Sequence, residues 1–381
     1  MSENSENPVD FTRIEPWNSR DFPIKINSIR YNQDFSLLTL GTSKGYKIFS
    51  TSNLREVNEL SDEVTKLDDI NIALCYYNSS LIFMLPTKYN KNYTNKEIII
   101  FDDFSQSKVA TFKVKTEEIL DLFISKNVIV LITLYNIIVL EMFSFKVIDI
   151  INNINPMNQV ISFNFNDYIA YTKLKNKKKV YVKYYISENN KVVKQAQKII
   201  NFNFDYIQTI QLSPSGKVLA LVSIYGNKIH LYYTENGELK ECLLVSQYME
   251  TILKVQFSEK KSNYLLVLKN DNKFKVYKIG KEQEKNSSCI CHKYDDNNIT
   301  IQNKEENNSG IFGYFKKYSK NKDIKDPHAF AEFEGNLLFF DFDRNKNKDI
   351  ILINKKGQFI QYHFTKKGAG HILPIFSIQW E

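Results

Sequence analysis

The chain has 381 residues, of which 43% are hydrophobic and 14% aromatic, including 27 Phe and 23 Tyr. That is ample apolar side chain for a packed core and excludes a wholly disordered chain. Its 51 basic residues exceed its 43 acidic ones, for a formal charge of +8, yet only Arg13, Arg20, Arg30, Arg55 and Arg344 are arginines, so the excess is lysine, which on most faces is simply solvated.

The opening MSENSENPVDF has neither the basic nor the apolar region of a secretory signal. Residues 1–22 are expected to form a polar tail and 23–381 a single domain. Strands are predicted near 26–31, 35–41 and 46–50, with a turn at Lys44-Gly45 between the last two. Further strands follow near 71–76, 80–85, 97–102 and 109–113: short runs of Ile, Val, Phe and Tyr punctuated by Asn, Ser, Gly and Lys. Asp102 and Asp103 are neighbours on a strand and would point to opposite faces, so they start a turn rather than hold a metal.

The longest apolar stretch, Asn127–Phe143 (NVIVLITLYNIIVLEMF), is shorter than the roughly 20 residues a spanning helix needs, and Thr133 and Asn136 interrupt it. Its Val and Ile favour strands, predicted near 118–124, 127–133, 136–141 and 146–151. Strands near 159–164, 167–172, 179–186 and 193–200 come next. The basic run Lys173–Lys179 (KLKNKKK) falls at a hairpin tip, where a solvated turn is the default. Charge alone would attract phosphate there, but nucleic acid is not the expected partner; a membrane or an acidic partner could use the same patch.

The clearest unit is Ile207–Leu244. Its strands, near 206–212, 217–223, 228–234 and 239–245, are separated by Ser213–Lys217, Tyr225-Gly226-Asn227 and Glu235-Asn236-Gly237, where Gly and Asn supply positive φ. Strands near 251–257, 263–269 and 273–278 precede a long polar segment at about 280–326, far beyond an ordinary loop. The series resumes near 327–333, 336–342, 348–353, 358–364 and 373–379. Four strands recurring about every 40–45 residues is the period of a propeller blade. The expected fold is an all-β, seven-bladed β-propeller with four-stranded antiparallel blades and a long insertion in blade six.

Within that insertion, GIFGYFKKYSK places Ile311, Phe312, Tyr314 and Phe315 beside Lys316, Lys317 and Lys320. Rings that sit at a membrane interface and ammonium groups that meet anionic lipid make this a membrane-insertion candidate; the alternative is that the aromatics anchor the return of the loop. Cys75, Cys242, Cys289 and Cys291 are scattered, which suits reduced thiols. Cys289-x-Cys291-His292 is half a metal site with nothing nearby to complete it. The five His and the Ser residues form no nucleophile motif, and no phosphate-cradling glycine loop is present. No catalysis, metal or cofactor is expected.

Three stretches resemble the PROPPIN (WIPI) family of phosphoinositide-binding propellers of autophagy: LGTSKGYKIFS (Leu40–Ser50), the segment from NKEIIIFDDF to NNINP (Asn95–Pro156), and SPSGKVLALVSIYGNKIHLYYTENGEL (Ser213–Leu239). HAFAEFEG (His328–Gly335) and GQFIQYHFTKKGAG (Gly357–Gly370) resemble the strand after the family's long loop and its last blade. The family's Phe/Leu-Arg-Arg-Gly motif, whose two arginines each serve a lipid headgroup, aligns with Leu243-Leu244-Val245-Ser246, so both arginines are absent. Leu and Val supply neither the charge nor the bidentate fork that suit Arg to phosphate. Ser223 matches a family serine, Asn227 stands where Thr is usual and His230 where a basic residue is usual. Lys273 and Lys275 replace Thr and His, and Asn203 an upstream His.

The resemblance implies a non-catalytic, monomeric scaffold in autophagy or membrane trafficking. It would be cytoplasmic and peripheral on endosomal, vacuolar or autophagosomal-type membranes, with phosphoinositide-containing membranes and autophagy or trafficking proteins as partners. Binding of phosphatidylinositol 3-phosphate or the 3,5-bisphosphate would be weakened or rebuilt around Ser223, Asn227, His230, Lys273 and Lys275. The alternative is a protein-only scaffold that has lost lipid.

Overall fold

The computed structural model describes residues 24–52, 56–59, 67–115, 117–154, 160–188, 191–194, 197–202, 206–246, 251–258, 262–280, 327–333, 337–343, 349–354, 358–364, 370–371 and 374–379. They form seven sheets, each built on four antiparallel strands and two of them carrying a fifth, as expected of a seven-bladed propeller. Blade one is β1 (Ile26–Tyr31), β2 (Leu37–Thr42), β3 (Gly45–Ser50) and β4 (Glu56–Glu59); blade two is β5 (Ile70–Cys75), β6 (Leu81–Pro86), β7 (Glu97–Asp102) and β8 (Ser107–Lys113). Blade three is β9 (Ile119–Ile124), β10 (Val128–Thr133), β11 (Asn136–Glu141) and β12 (Val147–Asn152). Blade four is β13 (Ile161–Phe163), β14 (Tyr168–Lys173), β15 (Asn176–Glu188) and β16 (Lys191–Lys194), with β17 (Lys198–Asn201) also paired to β15.

Blade five is β18 (Ile207–Leu212), β19 (Val218–Ser223), β20 (Lys228–Tyr233) and β21 (Leu239–Leu244). Blade six is β22 (Ile252–Phe257), β23 (Tyr264–Lys269), β24 (Lys273–Lys278) and β25 (Ala329–Glu332). Blade seven is β26 (Leu337–Phe342), β27 (Asp349–Asn354), β28 (Gln358–His363) and β30 (Pro374–Gln379), while β29 (Gly370–His371) pairs parallel to β25 on the outer edge of blade six.

The inner strands read as unbroken apolar runs because both faces of every sheet are covered. In blade two, Ile72, Leu74, Phe83, Leu85, Ile98 and Ile100 pack on blade three, while the residues between them, Ala73, Cys75, Ile82, Met84, Ile99 and Phe101, pack on blade one. Side chains alternate with a period of two, so each sheet feeds two interfaces. The same division recurs around the ring, with one apolar cluster at each of the seven blade junctions. The last of them joins Ile29, Leu38, Leu40 and Phe49 of blade one to Phe339, Ile351, Ile353 and Phe359 of blade seven, and the Tyr31 hydroxyl donates to the Phe342 carbonyl at 3.3 Å. Among the described residues no strand is exchanged between these two blades: β1 stays in blade one and β30 completes blade seven. The ring closes by packing.

The glycine motif of blade one has a local reason. A Cβ on Gly41 would lie 2.5 Å from the Asn71 carbonyl oxygen and 2.9 Å from that of Ile70, so only glycine lets β2 run this close to β5. Gly45, at φ 96°, makes the turn into β3.

The sequence reading missed β4, because Glu-Val-Asn-Glu carries a polar pattern that suits a solvent-facing edge and not a buried strand. The strand expected at 179–186 is the thirteen-residue β15, and the one expected at 193–200 is divided between β16, bonded near the end of β15, and β17, bonded near its start. Cys75 is a free, buried thiol whose pKa burial pushes up to about 12. Cys242 is disulfide-bonded, a correction to the expectation of reduced thiols. The tail 1–22 and all but the first residue of the 280–326 segment, with Ile311, Phe312, Tyr314, Phe315, Lys316 and Lys317, also lie outside them.

Candidate functional site

Because strands alternate in direction, the turns between second and third strands and the blade-to-blade links share one face of the ring. The candidate residues gather at this end of blades five and six. In blade five, Leu219, Leu221 and Tyr232 pack toward blade four, and Val222, Ile229 and Leu231 toward blade six. By the same alternation Ser223 and His230 look into the cleft between blades four and five. His230 is fully buried, in register between Leu221 and Cys242, with its ring edge-on to Phe202 at 5.1 Å. Ser223 ends β19, and its buried Oγ has no hydrogen-bond partner among the described residues. Asn227 is half-buried in the turn beyond, where its carbonyl accepts from the Val245 N–H at 2.8 Å.

In blade six, Phe274 and Val276 pack toward blade seven and Tyr277 toward blade five. Lys273 and Lys275 share the side of Tyr277 and look into the next cleft, between blades five and six. Both are half-buried; Lys273 pairs with Glu332 at 3.2 Å, its cross-strand neighbour, and with Asp271 at 3.9 Å. The structure thus divides Ser223 and His230 from Lys273 and Lys275 between two clefts, with the sheet of blade five between them and Asn227 in the turn at its edge.

Leu243-Leu244-Val245-Ser246 forms the wall of blade five at this point. Leu243 and Val245 are buried in the cluster facing blade six, so their side chains are committed to the core. Arg30 is the sole arginine among the described residues, and it serves the central channel: its Nη2 reaches Asp121 Oδ1 at 3.0 Å from blade one to blade three.

Two cations escaped the sequence reading. Lys228 lies two residues before His230 and shares its face. Lys269 is only 3% exposed and follows Leu265 and Val267, which pack on blade five, so it shares the face of Lys273 and Lys275 across the Asn270–Asn272 turn. The signal was present as period-two spacing at 228/230 and 273/275; Lys269 needed the strand register. Each cleft therefore carries amines from one wall, and ammonium groups are workable point-charge binders of phosphate. Among the described residues no cluster of His, Cys, Asp and Glu could hold a metal, and no helix is long and apolar enough to cross a membrane.

No family model matches the chain. SVP1-like protein 2 of Saccharomyces cerevisiae is 23% identical over 298 residues, which is 70% of this chain and 65% of that protein, so the chain spans under two thirds of its relative's length. Kluyveromyces lactis Hsv2 with its complete loop 6CD has a TM-score of 0.71 at 14% identity, over 94% of this chain and all of the other. Kluyveromyces marxianus Hsv2 gives 0.69 at 14% identity, with the same coverage. KlAtg21, in a complex with the coiled-coil of AgAtg16, gives 0.66 at 13% identity, again over 94% of this chain and all of the other. These are PROPPIN structures, and the resemblance read from the sequence is supported by them and by the yeast relative.

Proposed function

We propose that the chain is a non-catalytic PROPPIN-type scaffold that works at intracellular membranes in autophagy or membrane trafficking, with phosphoinositide recognition rebuilt on lysine. The observation that carries this reading is the pair of clefts flanking blade five: Ser223, Lys228 and His230 turn into one, and Lys269, Lys273 and Lys275 into the other. Lysine gives charge without the bidentate fork of arginine, so the proposed affinity for phosphatidylinositol 3-phosphate or the 3,5-bisphosphate is low for a single headgroup. Residues Ile311, Phe312, Tyr314, Phe315, Lys316 and Lys317 are the proposed source of additional membrane residence, since two weak anchors multiply.

The test is flotation with liposomes containing phosphatidylinositol 3-phosphate, the 3,5-bisphosphate or neither. Phosphoinositide-dependent flotation that falls with Lys273→Ala plus Lys275→Ala, and again on deleting 310–320, supports the reading. Flotation equal on all three liposomes, or untouched by both changes, overturns it.

The second reading is a protein-only scaffold, favoured by the pairing of Lys273 with Glu332 and by the burial of Leu243 and Val245. KlAtg21 is in a complex with a coiled-coil, so a coiled-coil is the first partner class to try with this chain.

A further inference from the structure

The basic hairpin of blade four lies on the same face of the ring, beside the cleft between blades four and five and one blade away from the cleft between blades five and six. Leu174 to Lys179 are all exposed at the turn from β14 to β15. Lys177 Nζ and Lys178 Nζ stand 6.0 and 5.7 Å from the centre of the Tyr206 ring. Tyr206 is 54% exposed and belongs to the link between blades four and five; its carbonyl accepts from the N–H of Ile224, itself 52% exposed in the turn of blade five. On the other side, the Leu174 N–H donates to the Asn153 carbonyl, and the neighbouring Ile154 N–H to that of Tyr135, joining the turns of blades four and three through hydrogen bonds of 3.0 and 2.9 Å. Tyr135, Leu174, Tyr206, Ile224 and Tyr225 therefore form a connected arc of exposed apolar tips over three blades, with lysines at its centre. None of Lys175, Lys177, Lys178 and Lys179 is ion-paired among the described residues.

We infer that this arc is a docking surface for an anionic lipid bilayer, one that acts through general negative charge and needs no phosphoinositide. Charge complementarity selects an anionic surface, and the apolar tips select a bilayer among anionic surfaces. A nucleic acid would meet the lysines with its phosphates but leave Leu174, Ile224 and Tyr135 against water. A membrane interface takes up both, with ammonium groups among headgroups and tyrosine rings and aliphatic tips at the acyl boundary. The surface borrows from the proposed function only the idea of a membrane setting, and it is separable from the cleft between blades five and six that holds Lys269, Lys273 and Lys275.

The experiment is flotation of the full chain with vesicles of phosphatidylcholine alone and of phosphatidylcholine with phosphatidylserine, neither containing phosphoinositide, at low and at physiological salt. Binding is expected only with phosphatidylserine and falls as salt rises. Lys175→Glu, Lys177→Glu and Lys178→Glu together are expected to weaken it by at least about tenfold. Ile224→Ser with Leu174→Ser is expected to weaken it without changing the net charge. Lys146→Ala plus Lys217→Ala, exposed in turns on the opposite face of the ring, is expected to leave it within about twofold, because that face lies beyond the reach of the screened surface charge. Absence of phosphatidylserine binding overturns the inference, as does binding unchanged by the three reversals in a variant that keeps the parent's melting temperature. Retention of duplex RNA through these lysines, with no vesicle binding, replaces it with a nucleic-acid site. If phosphoinositide dependence fails while phosphatidylserine binding persists, the lysine-rebuilt headgroup reading falls and this surface stands.

Discussion

Phe35, in the first turn of blade one, meets Phe165, in the first turn of blade four, edge to face across the central channel, with ring centroids 5.3 Å apart. The contact continues through Tyr31 to Phe339 of blade seven, at 5.5 and 5.3 Å. A cavity of about 590 Å³ lies around these rings, between the inner strands. Blades that are not neighbours in the ring are thus tied through its middle.

Such a pair should show direct coupling. A double-mutant cycle with Phe35→Ala and Phe165→Ala, read by urea unfolding, is expected to give an interaction of about 0.5–1.5 kcal/mol. Additive single effects would mean that the rings touch without stabilising the ring closure.

The junction of blades three and four holds an ion pair, Lys183 Nζ to Asp149 Oδ2 at 2.9 Å, and the Tyr185 hydroxyl also donates to that oxygen at 3.0 Å. Both charged side chains are at most one-tenth exposed. Lys183→Met leaves the carboxylate buried without its cation and is expected to cost about 3–5 kcal/mol in chemical denaturation. Adding Asp149→Leu should recover most of that loss. A double variant as unstable as the single one would show that packing, and not the stranded charge, sets the cost.

Gly41→Ala tests the close approach of blades one and two. The added methyl meets backbone carbonyls and not a movable side chain, so a loss of about 1–3 kcal/mol or more is expected. Thermal unfolding within a degree of the parent would show that β2 and β5 can separate freely.

Asp167 supplies a pH dependence. It accepts hydrogen bonds from Ser125 Oγ and from Asn127 Nδ2, the latter at 2.7 Å, across the junction of blades three and four. Burial outweighs these bonds and the nearby Lys126 charge, and it raises the carboxyl pKa above the usual 3.8. The folded state then holds this proton more tightly than the unfolded state does. The contribution to stability is therefore full below the unfolded pKa and is lost as pH rises through the folded one. Relative to Asp167→Asn, the parent should be most stable at acid pH and lose ground on going toward neutrality, as followed by urea midpoints across that range. The opposite trend would show that the hydrogen bonds dominate.

Much of this fold was legible because blade strands are short, apolar and separated by turn residues whose backbone demands are local, as at Tyr225-Gly226-Asn227 and Glu235-Asn236-Gly237. The edge strand Glu56–Glu59 was not, since Val57 is its single apolar residue and faces solvent. The division of Ser223 and His230 from Lys273 and Lys275 into two clefts was also hidden, because it depends on which neighbour each sheet face meets. Lys269 was invisible for the same reason: one lysine among many in the sequence, it is singled out only by its burial and register.

The closure of the ring by packing has a kinetic consequence. Nearly every pairing in the molecule joins strands that follow one another, which are quick to find each other. The junction of blades seven and one is the exception: Tyr31 and Phe342 are 311 residues apart. Six junctions can form as the chain emerges, while the surfaces of Ile29, Leu38 and Leu40 stay uncovered until the last blade arrives. The slowest folding event, and the interval of greatest exposure to aggregation, should therefore be the docking of these two preformed sheets.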